Sequence, residues 1–132
     1  MSKDQLVVMI VDDVEAQRYA VGRVLAAAGL NVIEAASGAE ALQKAACNPD
    51  AIVLDVGLPD MDGFEVCRRI KTDARTTHIP VVFLSATSQS GSSLDLGLRL
   101  GAEAYLFQPV DPGTLLTIIR VALARHPAGP SL

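Results

Sequence analysis

The sequence predicts an α/β domain built on a doubly wound parallel sheet, and three observations carry that expectation. Two apolar runs, Leu6 to Val11 and Ala51 to Leu54, contain no polar residue, as strands covered on both faces require, and each ends in acid: Asp12-Asp13 and Asp55. Strand-like runs alternate five times with stretches whose apolar residues recur at helical spacing. No internal repeat or low-complexity linker interrupts the alternation, and a parallel strand needs a crossover before its neighbour.

Taken in order, Leu6 to Val11 is the first strand and delivers Asp12 and Asp13 at its carboxyl end. The next segment places Val21, Val24, Leu25 and Ala28 at helical spacing, leaves Gln17, Arg18 and Arg23 for the wet side and stops at Gly29. Asn31 to Ala35 mixes polar and apolar residues, which suits a strand at a sheet edge. Ser37 and Glu40 form a capping box for a second helix through Ala46, closed by Asn48-Pro49. Ala51 to Leu54 is the third strand. Pro59, Asp60 and Gly63 then break the strand pattern, and Asp62 with Glu65 reads as a helix cap with its capping-box partner. The third helix turns Val66, Cys67 and Ile70 inward and Arg68, Arg69 and Lys71 outward.

Ile79 to Leu84 is the fourth strand, with Pro80 near its start, where a missing N–H is tolerable, and Ser85 at its end. The polar stretch Thr87 to Ser93 has no apolar anchor and is expected among the most mobile parts. Leu94, Leu96, Leu98 and Leu100 alternate like a strand, with Gly97 among them. Topology overrides that local pattern: Ala104 to Phe107 is the next strand, so a crossover helix belongs between. Asp111 caps and Pro112 opens the last helix, which runs through Leu115, Ile118, Ile119 and Ala122. Leu116, Val121 and Leu123 make that helix too apolar for one buried stripe, so some apolar area should face outward. The domain is thus expected over residues 1–125, with 126–132 a tail or the start of a linker.

At 132 residues the chain fits one domain whose core needs no staples. Cys47 and Cys67 lack ligand-spaced partners and read as buried free thiols. A net charge of −4 argues against a nucleic-acid surface, so any DNA contact would come from another chain or domain. No signal-like or membrane-spanning apolar run is present, and a cytoplasmic protein without a membrane partner is expected.

In open α/β sheets ligands bind at the carboxyl ends of the strands, where Asp12, Asp13, Asp55 and Ser85 should gather. Carboxylates a few ångströms apart repel, and one becomes hard to ionise unless a cation sits between them. Hard oxygen ligands of this kind suit Mg²⁺. Taken singly, Asp12-Asp13 is an ordinary turn, Ser85 a capping hydroxyl and Tyr105 half-buried packing. The run Asp60-Met61-Asp62-Gly63 is not a calcium loop, because the register puts Leu58 at its first ligand position and Arg69 where the bidentate Glu belongs.

Asp12-Asp13 after the first strand, Asp55 with the Leu58-Pro59-Asp60-Met61-Asp62-Gly63 turn, Ser85-Ala86 after the fourth strand, and Gly101-Ala102 before Tyr105-Leu106 resemble the response-regulator receiver domains of two-component phosphorelays over about residues 5 to 125. The resemblance implies a flavodoxin-like (βα)5 fold of strand order 2-1-3-4-5. It makes Asp55 the phosphoacceptor, served by a histidine kinase or phosphotransfer protein. It makes Asp12, Asp13, Asp55 and the Gly57 carbonyl the Mg²⁺ site, with Asp12 acting through water. Ser85 and Ala86 become phosphoryl donors, Thr87 the position that helps set phosphoryl lifetime, and Tyr105 a switch aromatic that turns inward once Ser85 moves. The partner surface it implies, for a homodimer or an output domain, is the fourth helix, fifth strand and fifth helix.

One position departs from the family. Lysine belongs before the proline after the fifth strand, and this chain has Gln108-Pro109, whose peptide can still be cis. Glutamine offers a neutral N–H₂ donor where an ammonium would pair with the carboxylate and then the phosphoryl group. The other lysines, Lys3, Lys44 and Lys71, lie outside the last two βα units. Three functions follow: a phosphoryl-accepting switch module that is not an enzyme in its own right, favoured by the acidic pocket; a phosphorylation-independent interaction domain, favoured by Gln108; and a phosphatase with Asp55 as nucleophile, disfavoured because Gly57 cannot be the general acid such an enzyme carries two residues on.

Overall fold

The computed structural model of the protein describes residues 6–85 and 91–125, with the backbone alone at 91–93. Strands β1 (Val7–Val11), β2 (Asn31–Ala35), β3 (Ala51–Leu54), β4 (Val81–Ser85) and β5 (Ala104–Phe107) alternate with helices α1 (Glu15–Ala27), α2 (Gly38–Ala45), α3 (Gly63–Thr72), α4 (Gly91–Arg99) and α5 (Pro112–Arg125). Every neighbouring pair of strands is parallel, in the order β2-β1-β3-β4-β5, so the doubly wound five-stranded sheet expected from the sequence is the one observed.

Side chains alternate across a strand, and here both faces of the sheet are covered. Met9, Val11, Ile52, Leu54, Val81 and Phe83 face a layer completed by Ala41 and Ala45 of α2 and Val66, Cys67 and Ile70 of α3. Val8, Ile10, Val53, Val82 and Leu84 face the other layer, closed by Val21 and Leu25 of α1 and Leu115 and Ile119 of α5. That coverage is why β3 and β4 are buried at every position, whereas β2 and β5, at the edges, are not.

The caps form largely as their residues suggest. Ser37 Oγ accepts from the Glu40 N–H at 3.1 Å, and the Asp62 carboxylate accepts from the Glu65 N–H at 2.9 Å. The reciprocal halves differ from expectation. Glu40 accepts from the Ala36 N–H at 2.8 Å, and Glu65 turns to Arg68 and Arg69 at 2.6 and 2.7 Å, two guanidinium partners that outbid one backbone amide. A further correction concerns the thiols: Cys67 is buried, but Cys47 is exposed, because it follows the last turn of α2. Gln17 and Arg18 are also not simply on the wet side. The Arg18 side chain is only 15% exposed and binds Glu34 and the Asp12 carbonyl, at 2.9 and 2.8 Å.

The alternating leucines resolve as a helix. Leu94 and Leu100 pack toward the Phe83 layer, Leu96 and Leu98 are exposed, and Gly97 is buried between them. α4 begins at Gly91, inside the polar stretch expected to be mobile; the rest of that stretch, Thr87 to Ser90, and the tail 126–132 lie outside the described residues. A Cβ on Gly97 would come within 2.9 Å of Tyr105 Cδ2 and 3.2 Å of Phe83 Cδ2, so the missing side chain lets α4 approach β4 and β5.

The helical glycines therefore make a test. At Gly22 of α1 an added Cβ meets nothing nearer than 3.7 Å, so Gly22→Ala is expected to stabilise by about 0.5–1 kcal/mol through helix propensity. Gly97→Ala gains the same propensity but overpacks against two rings, and is expected to lose about 1 kcal/mol net. Urea unfolding of both variants checks the contrast; equal gains would show that α4 is not seated on Tyr105.

Candidate functional site

The site is made by the two central strands running out side by side. In the β1–β3 ladder Val11 pairs with Leu54, and the Asp55 N–H donates to the Val11 carbonyl at 2.9 Å, so hydrogen bonding continues to the last strand position before the chains part. The Asp12 N–H donates to Ala35 at 3.1 Å on the other side. Asp12, Asp13 and Asp55 each bring a carboxylate oxygen to within 4.8 Å of the others. Asp12 is 7% exposed, Asp55 is half-buried and Asp13 is exposed.

Local bonding fixes their directions. Asp12 Oδ1 accepts from the Val14 N–H at 2.9 Å, supplying the turn that leads into α1. Past Asp55 the loop is closed by the Gly63 N–H on the Val56 carbonyl at 2.7 Å, and a Cβ on Gly63 would collide with the Asp55 carbonyl oxygen. Only glycine lets α3 begin that close to the acid. Gly57 lies exposed on the same loop.

The electrostatics follow from the crowding. Burial is the main influence that raises the Asp12 carboxyl above its usual range, opposed by the Val14 N–H and reinforced by Asp13. Asp55 is pushed up to about 6, first by burial and then by the Asp12 charge, with the Gly57 amide pulling against them and Asp13 adding to them. Three hard oxygen donors that repel one another at this spacing can hold a divalent cation, which would relieve the repulsion and favour the ionised form of Asp55.

The remaining residues are placed as follows. Ser85 is the last residue of β4 and is buried. Ala86 and Thr87 lie outside the described residues. Tyr105 is already inward, 7% exposed, in a ring cluster with Phe83 at 5.5 Å, Phe64 at 6.3 Å and Phe107 at 5.2 Å between centroids. Its hydroxyl is buried and finds no hydrogen-bond partner among the described residues.

Gln108 departs most from expectation. It follows β5, its peptide to Pro109 is cis, and its N–H donates to the Ser85 carbonyl at 2.7 Å. Its side chain is bonded to Gln17 of α1: Gln108 Nε2 donates to Gln17 Oε1 at 2.7 Å, and Gln17 Nε2 donates back at 3.1 Å. Two residues were missed at the level of sequence. Gln17 shows only as a polar residue on an amphipathic helix. Asp60 shows only as a turn residue, yet its carboxylate accepts from the Gly38 and Ala39 N–H groups at 2.8 and 2.9 Å, caps α2 and is held below its usual range by those bonds.

Asp55 predicts a stability profile. The folded protein keeps the Asp55 proton up to about pH 6, against about 4 for an unfolded aspartate, so this group's contribution falls as pH rises between those values. Asp55→Asn removes the ionisation. The variant is expected to exceed wild type by about 1 kcal/mol near pH 7.5, allowing for partial solvent access, and to lose the advantage near pH 4. Urea titrations across that range check it; a pH-independent difference would trace the gain to another cause.

Known proteins resemble the chain closely. The family described as response regulator receiver domain matches residues 8–120. The chain is 41% identical over 114 residues to the response regulator PleD of Caulobacter vibrioides, covering 86% of this chain and 25% of PleD. It is 34% identical over 118 residues to protein PilH of Pseudomonas aeruginosa, covering 89% of this chain and 97% of PilH. Among solved structures, the chemotaxis protein CheY4 of Vibrio cholerae superposes with a TM-score of 0.83 at 34% identity, covering 89% of this chain and 98% of that one.

Proposed function

The chain belongs to the response regulator receiver domain family, and from that premise we propose that Asp55 is the phosphoacceptor of a two-component phosphorelay. The observation that carries this is the convergence of Asp12, Asp13 and Asp55 at the carboxyl ends of β1 and β3. In its ionised form an Asp55 oxygen attacks phosphorus in line. The P–N bond to the phosphohistidine of a histidine kinase or phosphotransfer protein breaks, and its electron pair leaves on the imidazole nitrogen. Asp13, Asp55 and the Gly57 carbonyl would hold Mg²⁺, with Asp12 acting through water, and the bound ion would offset negative charge on the transferring group. By the family's pattern Ser85 and the Ala86 N–H would be the donors to phosphoryl oxygens, and Thr87 the position that helps set phosphoryl lifetime. The chain acts as a phosphoacceptor rather than as an enzyme with turnover. The receiver unit is residues 1–125, with 126–132 a tail or the start of a linker, and its setting is the cytoplasm.

Partner choice follows from apolar exposure. Leu96 and Leu98 of α4, Phe107 of β5 and Val121 of α5 are 39–50% exposed, a surface suited to a second copy or an output domain. The chain spans about a quarter of the length of PleD but nearly all of PilH, so the relatives differ in what accompanies the receiver.

The Gln17–Gln108 pair favours a second reading, an interaction domain that works without phosphorylation, because the amide that stands where the family has lysine is engaged on α1. A charge-assisted hydrogen bond from lysine contributes about 1.5–3 kcal/mol, and a neutral amide recovers part of that at most. Two measurements decide between the readings. With a small acyl phosphate and Mg²⁺, intact-mass spectrometry should find one phosphoryl group on wild type and none on Asp55→Asn. With beryllofluoride, NMR shifts of Tyr105 and α4 should be smaller in wild type than in Gln108→Lys. No modification of Asp55 in either protein would move the conclusion to the phosphorylation-independent reading.

Mg²⁺ alone is a separate check on the pocket. Titration is expected to shift the amide signals of Asp12, Asp13, Asp55 and Gly57, whereas shifts centred on Asp60 and Asp62 would move the ion to the caps of α2 and α3.

A further inference from the structure

The reciprocal amide pair joins two residues that are 91 positions apart in sequence, one on the first turns of α1 and one on the loop between β5 and α5. A carboxamide has one acceptor oxygen and one N–H₂ group, and in this pair each side chain serves the other on both counts. Both residues are partly buried, and with Pro109, Val110, Val21 and Leu115 they line the cleft between α1 and α5.

We propose that Gln17 is a positioning residue: its carboxamide holds the Gln108 side chain on α1, so that the β5–α5 loop is pinned by a neutral latch that a phosphoryl group on Asp55 must compete with. The proposal rests on Asp55 being the phosphoacceptor only for its second half; the latch itself belongs to the unmodified protein. A phosphoryl group on Asp55 can draw the Gln108 N–H₂ only in competition with the two hydrogen bonds it already shares with Gln17. Release of the latch, rather than a new charge in the pocket, is what frees the loop.

Gln17→Met tests this while keeping side-chain length and apolar contact and removing both hydrogen bonds. In the unmodified protein the Gln108 side-chain N–H₂ signals should move in Gln17→Met, and a double-mutant cycle with Gln108→Met in urea should be non-additive. After beryllofluoride and Mg²⁺, those signals should shift further in Gln17→Met than in wild type, and the amides of the first turn of α5 should follow. An additive cycle, or Gln108 N–H₂ shifts equal in wild type and Gln17→Met, overturns the latch. If beryllofluoride leaves the Asp55 and Gly57 amides unmoved in every variant, it is the phosphoacceptor assignment that fails, and the cycle still decides the latch.

Discussion

Mutual repulsion of three carboxylates is the constraint around which this fold is arranged. Two unit charges at 4.8 Å repel by about 3.5 kcal/mol at an effective dielectric of about 20, a large share of a small domain's stability. The β1–β3 ladder, hydrogen bonded up to the Asp55 N–H on the Val11 carbonyl, brings the backbones that carry these acids side by side. Burial and then the Asp12 charge push Asp55 itself up to about 6. A pocket of this kind is unfavourable without a cation and becomes favourable with one, and that is the property a metal-dependent phosphoacceptor requires.

The neighbouring elements are fitted to that pocket by close approaches rather than by added contacts. Gly63 lets α3 start against the Asp55 backbone, and Asp60, on the same loop, reaches across to the first turn of α2. The loop after β3 is thereby tied to two helices on one face of the sheet. At the other end Gly97 opens the space that Tyr105 and Phe83 fill. The inward Tyr105 packs against the rings of Phe83, Phe64 and Phe107, and its buried hydroxyl finds no hydrogen-bond partner among the described residues.

Much of this was legible in the sequence because it depends on local pattern. Apolar runs ending in acid place Asp12, Asp13 and Asp55, and the mixed composition of Asn31 to Ala35 marks an edge. Topology outweighed period in the Leu94 to Leu100 segment, and the reason for the misleading alternation is now visible: the alternate leucines Leu96 and Leu98 are exposed, and the inward place between them belongs to glycine. What could not be read depends on pairings between distant residues. Asp60 with Gly38 and Gln17 with Gln108 join loops and helices whose approach is set only by the assembled sheet. Cys47 was misjudged for a related reason, since an apolar residue at a helix end is buried only if something covers that end.

The departure at Gln108 separates chemistry from response. In the proposed function the acids on β1 and β3 perform the transfer, and the two described lysines are committed elsewhere, Lys44 to Glu40 and Lys71 to the Thr77 and Ile79 carbonyls. Without an ammonium at position 108, electrostatic attraction no longer links the pocket to the β5–α5 loop. The Gln108 N–H donates to the Ser85 carbonyl at 2.7 Å, which ties the loop to the end of β4. A displacement of Ser85 can then reach Gln108 through the backbone, but it works against the side-chain pair that anchors the same residue to α1. In the proposed function, coupling between the pocket and this loop would therefore be set by the balance between the Gln108–Ser85 backbone hydrogen bond and the two amide ones on Gln17.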